Sequence, residues 1–115
     1  MKTKQSTIDY ILDQLIFAGD VSARKMFGEY ALYCDGKVVA LVCRDTLFVK
    51  ITEQGKEFVG KRYQEGHAYK GAKTSMVIDD DHIEDHEWIS ELIRITADSL
   101  PTPKQKKAGN KSPSR

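Results

Sequence analysis

The dipeptide Asp35-Gly36 is the feature that most constrains how this chain folds, because it separates two runs of apolar and aromatic residues. A two-residue turn of type I′ needs a positive φ at both central positions, and Asp-Gly is among the sequences that favour it most. The runs on either side, residues 30–34 and 37–43, are therefore predicted to pair as an antiparallel hairpin. Residues 38–43 are apolar at every position, which predicts a central strand covered on both faces, with a second protomer as one source of the second cover.

Further strands extend this hairpin. Residues 21–27 and 46–51 are rich in β-branched, aromatic or other apolar side chains, and Arg44-Asp45 offers a second, weaker turn signal. Together with the hairpin they predict a meander of about four strands. A polar loop over residues 61–74 then leads to a last short strand at residues 75–78.

Three helices are predicted around these strands. Ser6 or Thr7 offers an N-cap for the first helix, in which apolar residues recur with helical spacing until Gly19. The second helix is short and capped by Thr52, and the third spans residues 84–99 with an acidic first turn. The order of helix, meander, helix, strand and helix predicts an α+β fold of two layers, with three helices on an antiparallel sheet of about five strands.

Charge divides the chain near residue 100. Residues 1–100 contain 13 Lys and Arg against 17 Asp and Glu, whereas residues 101–115 contain five basic residues and no acid. The first segment is predicted to be one globular domain, and the second a disordered basic tail, because it has too few apolar side chains to offset the entropy lost on ordering. We interpret the tail as a solubilising extension, with contact to nucleic-acid phosphates left open. The cations that would make such a contact are Lys104, Lys106, Lys107, Lys111 and Arg115.

The residues that most often carry chemistry form no catalytic or metal-binding pattern. The tight turn implies a register in which Cys34 and Cys43 lie ~20 Å apart, so both are predicted to be free thiols. His82 and His86 are surrounded by acids, which we interpret as an acidic helix start rather than a metal site. His67 lies in the polar loop without a nucleophile beside it. We therefore predict no enzymatic activity, no metal and no cofactor.

No apolar run approaches the length of a membrane-spanning helix, which is ~20 residues. The N-terminal residues also lack the apolar core of a signal peptide. We therefore predict a cytoplasmic protein without a membrane partner.

Four stretches of sequence are specific as a set, in this order, over about residues 7–100. They are Arg24-Lys25-Met26-Phe27-Gly28-Glu29-Tyr30, Leu32-Tyr33-Cys34-Asp35-Gly36-Lys37, Leu47-Phe48-Val49-Lys50 and Tyr69-Lys70-Gly71-Ala72-Lys73. Together they resemble the N-terminal domain of the TfoX/Sxy family. The resemblance implies an α+β domain of the bacterial cytoplasm that is associated with natural competence, where the full-length regulators act as coactivators and not as enzymes. Those regulators carry a second, helical domain, whereas this chain is expected to be a stand-alone version of the first.

The resemblance and the lack of a catalytic set predict a non-enzymatic regulatory or interaction module. It would dock on a protein of the transcription apparatus, with the tail adding weak affinity for nucleic acid. The candidate contact residues are Arg24, Lys50, Tyr69 and Lys73.

Two alternatives stay open. The first is a small-molecule or anion-binding domain, or a minor enzyme, that uses residues 66–73 with Arg24; a concave pocket holding Arg24, Tyr69 and Lys73 would favour it. The second is a homodimer formed through the apolar strand. In contrast to the concave pocket of the first alternative, an exposed flat sheet or a symmetric interface would favour the interaction module.

Overall fold

The computed structural model describes residues 3–26 and 29–100 of the chain. Within these residues it contains four α-helices and six strands, and a short 3₁₀ helix follows α2 at Gly60–Arg62. The α-helices are α1 (Gln5–Gln14), α2 (Glu53–Val59), α3 (Asp80–Glu84) and α4 (His86–Ser99). The strands are β1 (Val21–Met26), β2 (Glu29–Cys34), β3 (Lys37–Cys43), β4 (Thr46–Val49), β5 (Glu65–His67) and β6 (Thr74–Ile78). The predicted α+β class is confirmed.

The strands form one antiparallel sheet in the order β1-β2-β3-β4-β6-β5, so β3 lies inside the sheet as predicted. The predicted type I′ turn between β2 and β3 is confirmed, because Asp35 and Gly36 have φ values of 53° and 84°. Arg44 and Asp45, with φ values of 51° and 60°, form a turn of the same kind between β3 and β4 without a glycine.

Alternation along β3 and β4 divides the apolar side chains between two faces of the sheet. On the inner face, paired residues such as Val42 and Leu47 pack against the helices and form the main core. On the outer face, Leu41 and Phe48 are paired and belong to a smaller cluster with the buried Ala68. The second cover of β3 is therefore supplied in part by the segment that follows β5, within the same chain.

The start and the end of α1 differ from the prediction. The N-cap is Lys4, not Ser6 or Thr7, and no side chain of α1 itself caps the helix. The capping oxygen comes instead from Asp45 in the β3–β4 turn, which accepts hydrogen bonds from the Lys4 backbone N–H at 2.9 Å and from the Thr7 hydroxyl at 2.8 Å. The helix also ends at Gln14, five residues before Gly19.

Three elements were not predicted, and all are short and mainly polar: the 3₁₀ helix at Gly60–Arg62, strand β5 and helix α3. Strand β5 lies within the predicted loop of residues 61–74, since Glu65, Gly66 and His67 carry no β-forming signal of their own. Helix α3 occupies part of the acidic segment that was interpreted as the start of one helix. Asp85 separates the two helices, ending α3 and accepting a hydrogen bond from the Trp88 backbone N–H at the start of α4.

Other predictions hold, and some fall outside the described residues. Thr52 caps α2 as predicted, with its hydroxyl oxygen accepting from the Gly55 N–H at 2.9 Å. Cys34 and Cys43 are both free and buried, as predicted. Phe27, at the end of the first predicted strand, and the tail of residues 101–115 lie outside the part of the chain that the structure describes.

Candidate interaction site on the outer sheet face

A row of side chains crosses the outer face of the sheet from β1 to β6. The register pairs Arg24 with Ala31, Ala31 with Leu41, Leu41 with Phe48, and Phe48 with Val77. Directly paired residues point to the same side of a sheet. The row therefore begins with a cation on the edge strand and becomes apolar across the centre.

Gly66 on β5 pairs with Ser75, two residues from Val77 on β6, and leaves room for the end of this row. A Cβ atom at Gly66 would lie 2.6 Å from Val77 Cγ2 and 3.6 Å from Phe48 Cε2. The first distance is too short for any real contact, so the bare glycine backbone is what allows these side chains to pack beneath β5. In the sequence, Gly66 was interpreted as a loop residue and as the start of the alternative ligand-binding segment of residues 66–73.

The loop after β5, residues 68–73, is folded onto the outer face. Ala68 is fully buried, and its carbonyl oxygen accepts a hydrogen bond from Arg44 Nη1 at 2.9 Å. The Ala72 N–H donates to the Tyr69 carbonyl at 3.0 Å, and His67 Nδ1 lies 2.9 Å from the Ala72 carbonyl oxygen. This part of the predicted polar loop is thus tied to the β3–β4 turn through Ala68 and to β5 through Ala72.

A groove of about 580 Å³ lies between this loop and the sheet. Leu41 and Phe48 contribute to its floor, while Lys50, Tyr69 and Lys73 line its sides. Lys50 directly follows β4 and Lys73 directly precedes β6. Because β4 and β6 are antiparallel neighbours, the end of one strand meets the start of the other, which brings the two lysines to one groove.

A second groove, of about 440 Å³, lies on the other side of Tyr69. It shares Leu41 with the first groove and is otherwise lined mainly by Met26, Tyr30 and Cys43. Tyr69 lines both grooves and is 56% exposed. An aromatic ring therefore stands between two concave, largely apolar surfaces on the same sheet face.

One carboxylate, that of Glu29, lines the second groove. It accepts hydrogen bonds from the Arg44 backbone N–H at 3.2 Å and from the Thr3 hydroxyl. These bonds tie the carboxylate to the β3–β4 turn and to the N-terminal segment of the chain.

Three of the four predicted contact residues come together, and one does not. Lys50, Tyr69 and Lys73 line the larger groove, whereas Arg24 does not line it. The Arg24 guanidinium carbon lies 5.5 Å from the centre of the Tyr33 ring, on the same sheet face but near the β1 edge. The pocket holding Arg24, Tyr69 and Lys73 together, which would favour a small ligand, is therefore not what the structure shows. The tail cations lie outside the described residues.

The cysteine thiols are not poised for nucleophilic chemistry. Burial raises the pKa of Cys34 to about 11, and burial also raises the pKa of Cys43, which lines the second groove. A thiol must ionise to act as a nucleophile or a metal ligand. Both side chains therefore stay protonated near neutral pH.

The two histidines with close spacing lie on different helices. His82 belongs to α3, where its Nδ1 lies 2.6 Å from Asp79 Oδ1, and this hydrogen bond lowers the pKa of Asp79. His86 begins α4, and its ring centre lies 5.9 Å from that of Phe17. Among the described residues, no three His, Cys, Asp or Glu side chains converge in a way that could hold a metal ion.

None of the helices in residues 3–26 and 29–100 is long and apolar enough to cross a membrane.

The floor of the site was not predicted from the sequence. Leu41 and Phe48 lie in predicted strands, but apolar side chains in a strand do not reveal which face they occupy until the pairing is known. Arg44 was interpreted only as a turn residue. The Arg44-Asp45 dipeptide carries a turn signal, but nothing in the sequence indicates the hydrogen bond to Ala68.

An antiparallel six-stranded sheet with helices on one face and a folded-back loop on the other defines a small α+β domain. The chain belongs to the family described as the TfoX N-terminal domain, whose profile matches residues 13–100. It is also similar to a protein of Spirochaeta aurantia described as an uncharacterized 12.7 kDa protein in the trpE 5′ region. The two are 41% identical over 113 residues, which cover 98% of this chain and 96% of that protein.

Proposed function

We propose that this protein is a non-enzymatic interaction module that docks on a protein of the transcription apparatus through the outer sheet face. The observation that carries the proposal is the position of Tyr69, which is 56% exposed between two apolar grooves. Tyrosine is among the residues that contribute most to binding energy at protein interfaces, above all where it sits at the centre of an apolar patch.

The anchoring of residues 68–73 supports this proposal. The Arg44 hydrogen bond to Ala68 and the burial of Ala68 hold the loop, and with it Tyr69, in place before any partner arrives. A preformed surface loses less conformational entropy on binding than a mobile one. The anchored ring can therefore contribute more of its contact energy to affinity.

Family membership supports a link to the regulation of natural competence in a bacterial cytoplasm. In this proposal the tail of residues 101–115 adds weak, sequence-independent affinity for nucleic acid, because its five cations can displace counterions from phosphates. A gel-shift assay with the chain shortened to residues 1–100 tests the role of the tail. Unchanged nucleic-acid binding would exclude it.

The docking proposal is tested with purified RNA polymerase from the source bacterium and the purified full chain, by surface plasmon resonance. Tyr69→Ala is expected to weaken binding by about tenfold or more, which corresponds to about 1.4 kcal/mol. Tyr10→Ala is the matched control, because Tyr10 is an aromatic residue of similar exposure on the helical layer, at 43%. Equal affinities for the wild-type chain and Tyr69→Ala would contradict the proposal.

A small-molecule or anion-binding domain is the second candidate function. It is favoured by the size of the larger groove, about 580 Å³, and by its two lysines. Thermal-shift measurements with phosphate and with small organic acids test it. A stabilisation that disappears in the variant Lys50→Ala/Lys73→Ala would support this candidate over protein docking.

A homodimer is a separate proposal for the same surface. Light scattering of the full chain at high concentration tests it, and a purely monomeric mass would exclude it. A dimer that Tyr69→Ala dissociates would support it.

A further inference from the structure

Charge is distributed unevenly between the two layers of the domain. Residues 1–100 carry a net charge of −4, yet within the described part of the chain the larger groove is lined by Lys50 and Lys73 and by no carboxylate side chain. Many of the acids lie instead around α3 and the start of α4: Asp79, Asp80, Asp81, Glu84, Asp85 and Glu87. A basic groove in an acidic body selects its partners by charge.

We propose that this groove binds an acidic segment of a partner protein that also carries a phenylalanine or leucine side chain. The inference rests on the proposed function and specifies the chemistry of the partner. The apolar side chain would lie over Leu41 and Phe48 and against Tyr69. Carboxylates on either side of it would pair with Lys50 and Lys73.

The groove offers both parts of this recognition at once. Phe48 is 5% exposed and Leu41 is half-buried, so the floor is well packed but can still be covered by one more side chain. Tyr69 and Leu41 present most of the apolar surface that a partner can cover, and removing this surface from water supplies most of the affinity. The two lysines mainly supply selectivity and a faster association rate, because exposed ion pairs contribute little free energy.

Charge argues against the other occupants of this groove. The chain's own tail carries five positive charges and would be repelled by Lys50 and Lys73. A second copy placed with the twofold axis through the groove would bring the same two lysines against the first pair. Nucleic acid presents one negative charge per nucleotide, for which two lysines on a body of net charge −4 are a poor match. An acidic segment with an apolar anchor fits both the lysines and the floor.

Fluorescence anisotropy with short fluorescein-labelled peptides tests the inference on the full chain. The probe peptide contains Asp and Glu around Phe and Leu. One control peptide replaces the acids with Lys, and another keeps the acids but replaces Phe and Leu with Ser. The chain is expected to bind the probe at least about tenfold more tightly than either control, and binding should weaken as salt concentration rises.

Variants assign the binding to the groove. Lys50→Glu and Lys73→Glu are each expected to weaken probe binding by about fivefold or more, and Tyr69→Ala by about tenfold. Lys61→Glu, at an exposed position in the 3₁₀ helix, makes the same charge change outside the groove and should leave binding within about twofold. Lys50→Gln and Lys73→Gln serve as milder variants if a charge reversal perturbs folding, which circular dichroism would reveal.

Three outcomes would overturn the inference: equal binding of the acidic and basic peptides, probe binding that neither lysine variant changes, or preferential binding of an oligothymidylate that competes with the probe.

Failure of this inference is distinguishable from failure of the proposed function. If RNA polymerase binding depends on Tyr69 but not on Lys50 or Lys73, the docking face stands and the acidic partner is wrong. If the polymerase does not bind at all, the docking proposal itself is wrong, whatever the peptides show.

Discussion

Lys37 and Ala97 join the two layers of the domain at the end of α4. The Lys37 ammonium donates a hydrogen bond to the Ala97 carbonyl oxygen at 2.7 Å and another to the Leu100 carbonyl oxygen at 3.2 Å. The last carbonyl groups of a helix have no partner within the helix, and they carry the negative end of its dipole. A lysine that begins β3 therefore closes the end of a helix through a carbonyl group 60 residues later in the chain.

Replacing Lys37 with methionine is expected to lower the free energy of unfolding by about 1–2 kcal/mol, because two charge-assisted hydrogen bonds are lost while the apolar stem is kept. Urea unfolding followed by circular dichroism measures the change. Lys61→Met is the control, since Lys61 is exposed in the 3₁₀ helix after α2. Equal losses in the two variants would show that the contact does not stabilise the fold.

The cap that Asp45 provides to α1 predicts a pH-dependent stability. The backbone hydrogen bond from Lys4, and then the side-chain bond from Thr7, lower the pKa of Asp45 below its ordinary value of 3.8. A carboxyl group whose pKa is lower in the folded state stabilises the fold at pH values above its unfolded-state pKa. This stabilisation is lost as the pH falls through the folded-state pKa.

Asp45→Asn is therefore expected to be less stable than the wild-type chain near neutral pH, with the difference shrinking at pH values below 3.8. Asparagine accepts the positive φ of this turn position, so the change removes the charge and little else. Urea unfolding at about pH 7, 5 and 3 measures the difference. A difference that stays constant over this range would contradict the assignment.

The close approach of β5 to β6 predicts that Gly66→Ala destabilises the domain by about 1–3 kcal/mol. The added methyl group would lie 2.6 Å from Val77 Cγ2, and valine is too stiff at χ1 to move aside easily. Thermal unfolding of Gly66→Ala, Val77→Ala and the double variant forms a cycle that isolates this contact. The double variant should be more stable than the sum of the two single losses implies. If the losses in free energy of unfolding are strictly additive, the added methyl group does not press on Val77.

Burial of the cysteines predicts that neither thiol reacts in the folded chain. Cys34 is fully buried, its pKa is raised to about 11, and its Sγ lies 3.6 Å from the Ala18 carbonyl oxygen. Iodoacetamide at about pH 8 should label neither thiol in the native chain and both in guanidinium, as mass spectrometry would show. Rapid native labelling of Cys43, on the outer face, would mean that the face is more open than the structure indicates.

The sequence predicts the meander well because its information there is local. Asp35-Gly36 can adopt the positive φ values of a tight hairpin turn, and the apolar runs beside it have the length of strands. The cap of α1 could not be predicted, since Asp45 lies 41 residues from Lys4 and reaches it only through the fold. Strand β5 could not be predicted either, because its pairing with β6, and not its composition, defines it.

The candidate site was predicted in part. Lys50, Tyr69 and Lys73 were selected from sequence motifs, and antiparallel pairing of β4 and β6 brings them to one groove. Arg24 was selected in the same way but lies near the β1 edge, over Tyr33. The role of all four in binding stays a prediction.

Hydroxyl-radical footprinting of the full chain, free and bound to RNA polymerase, tests the docking face most directly. The chain carries exposed, reactive side chains on both layers, with Tyr69 and Met26 lining the outer-face grooves and Tyr10 and Phe17 on the helical side. We expect oxidation of Tyr69 and Met26 to fall several-fold in the complex, while that of Tyr10 and Phe17 stays unchanged. Protection of Tyr10 and Phe17 with Tyr69 still fully oxidised would place the partner on the helices and contradict docking through the outer sheet face.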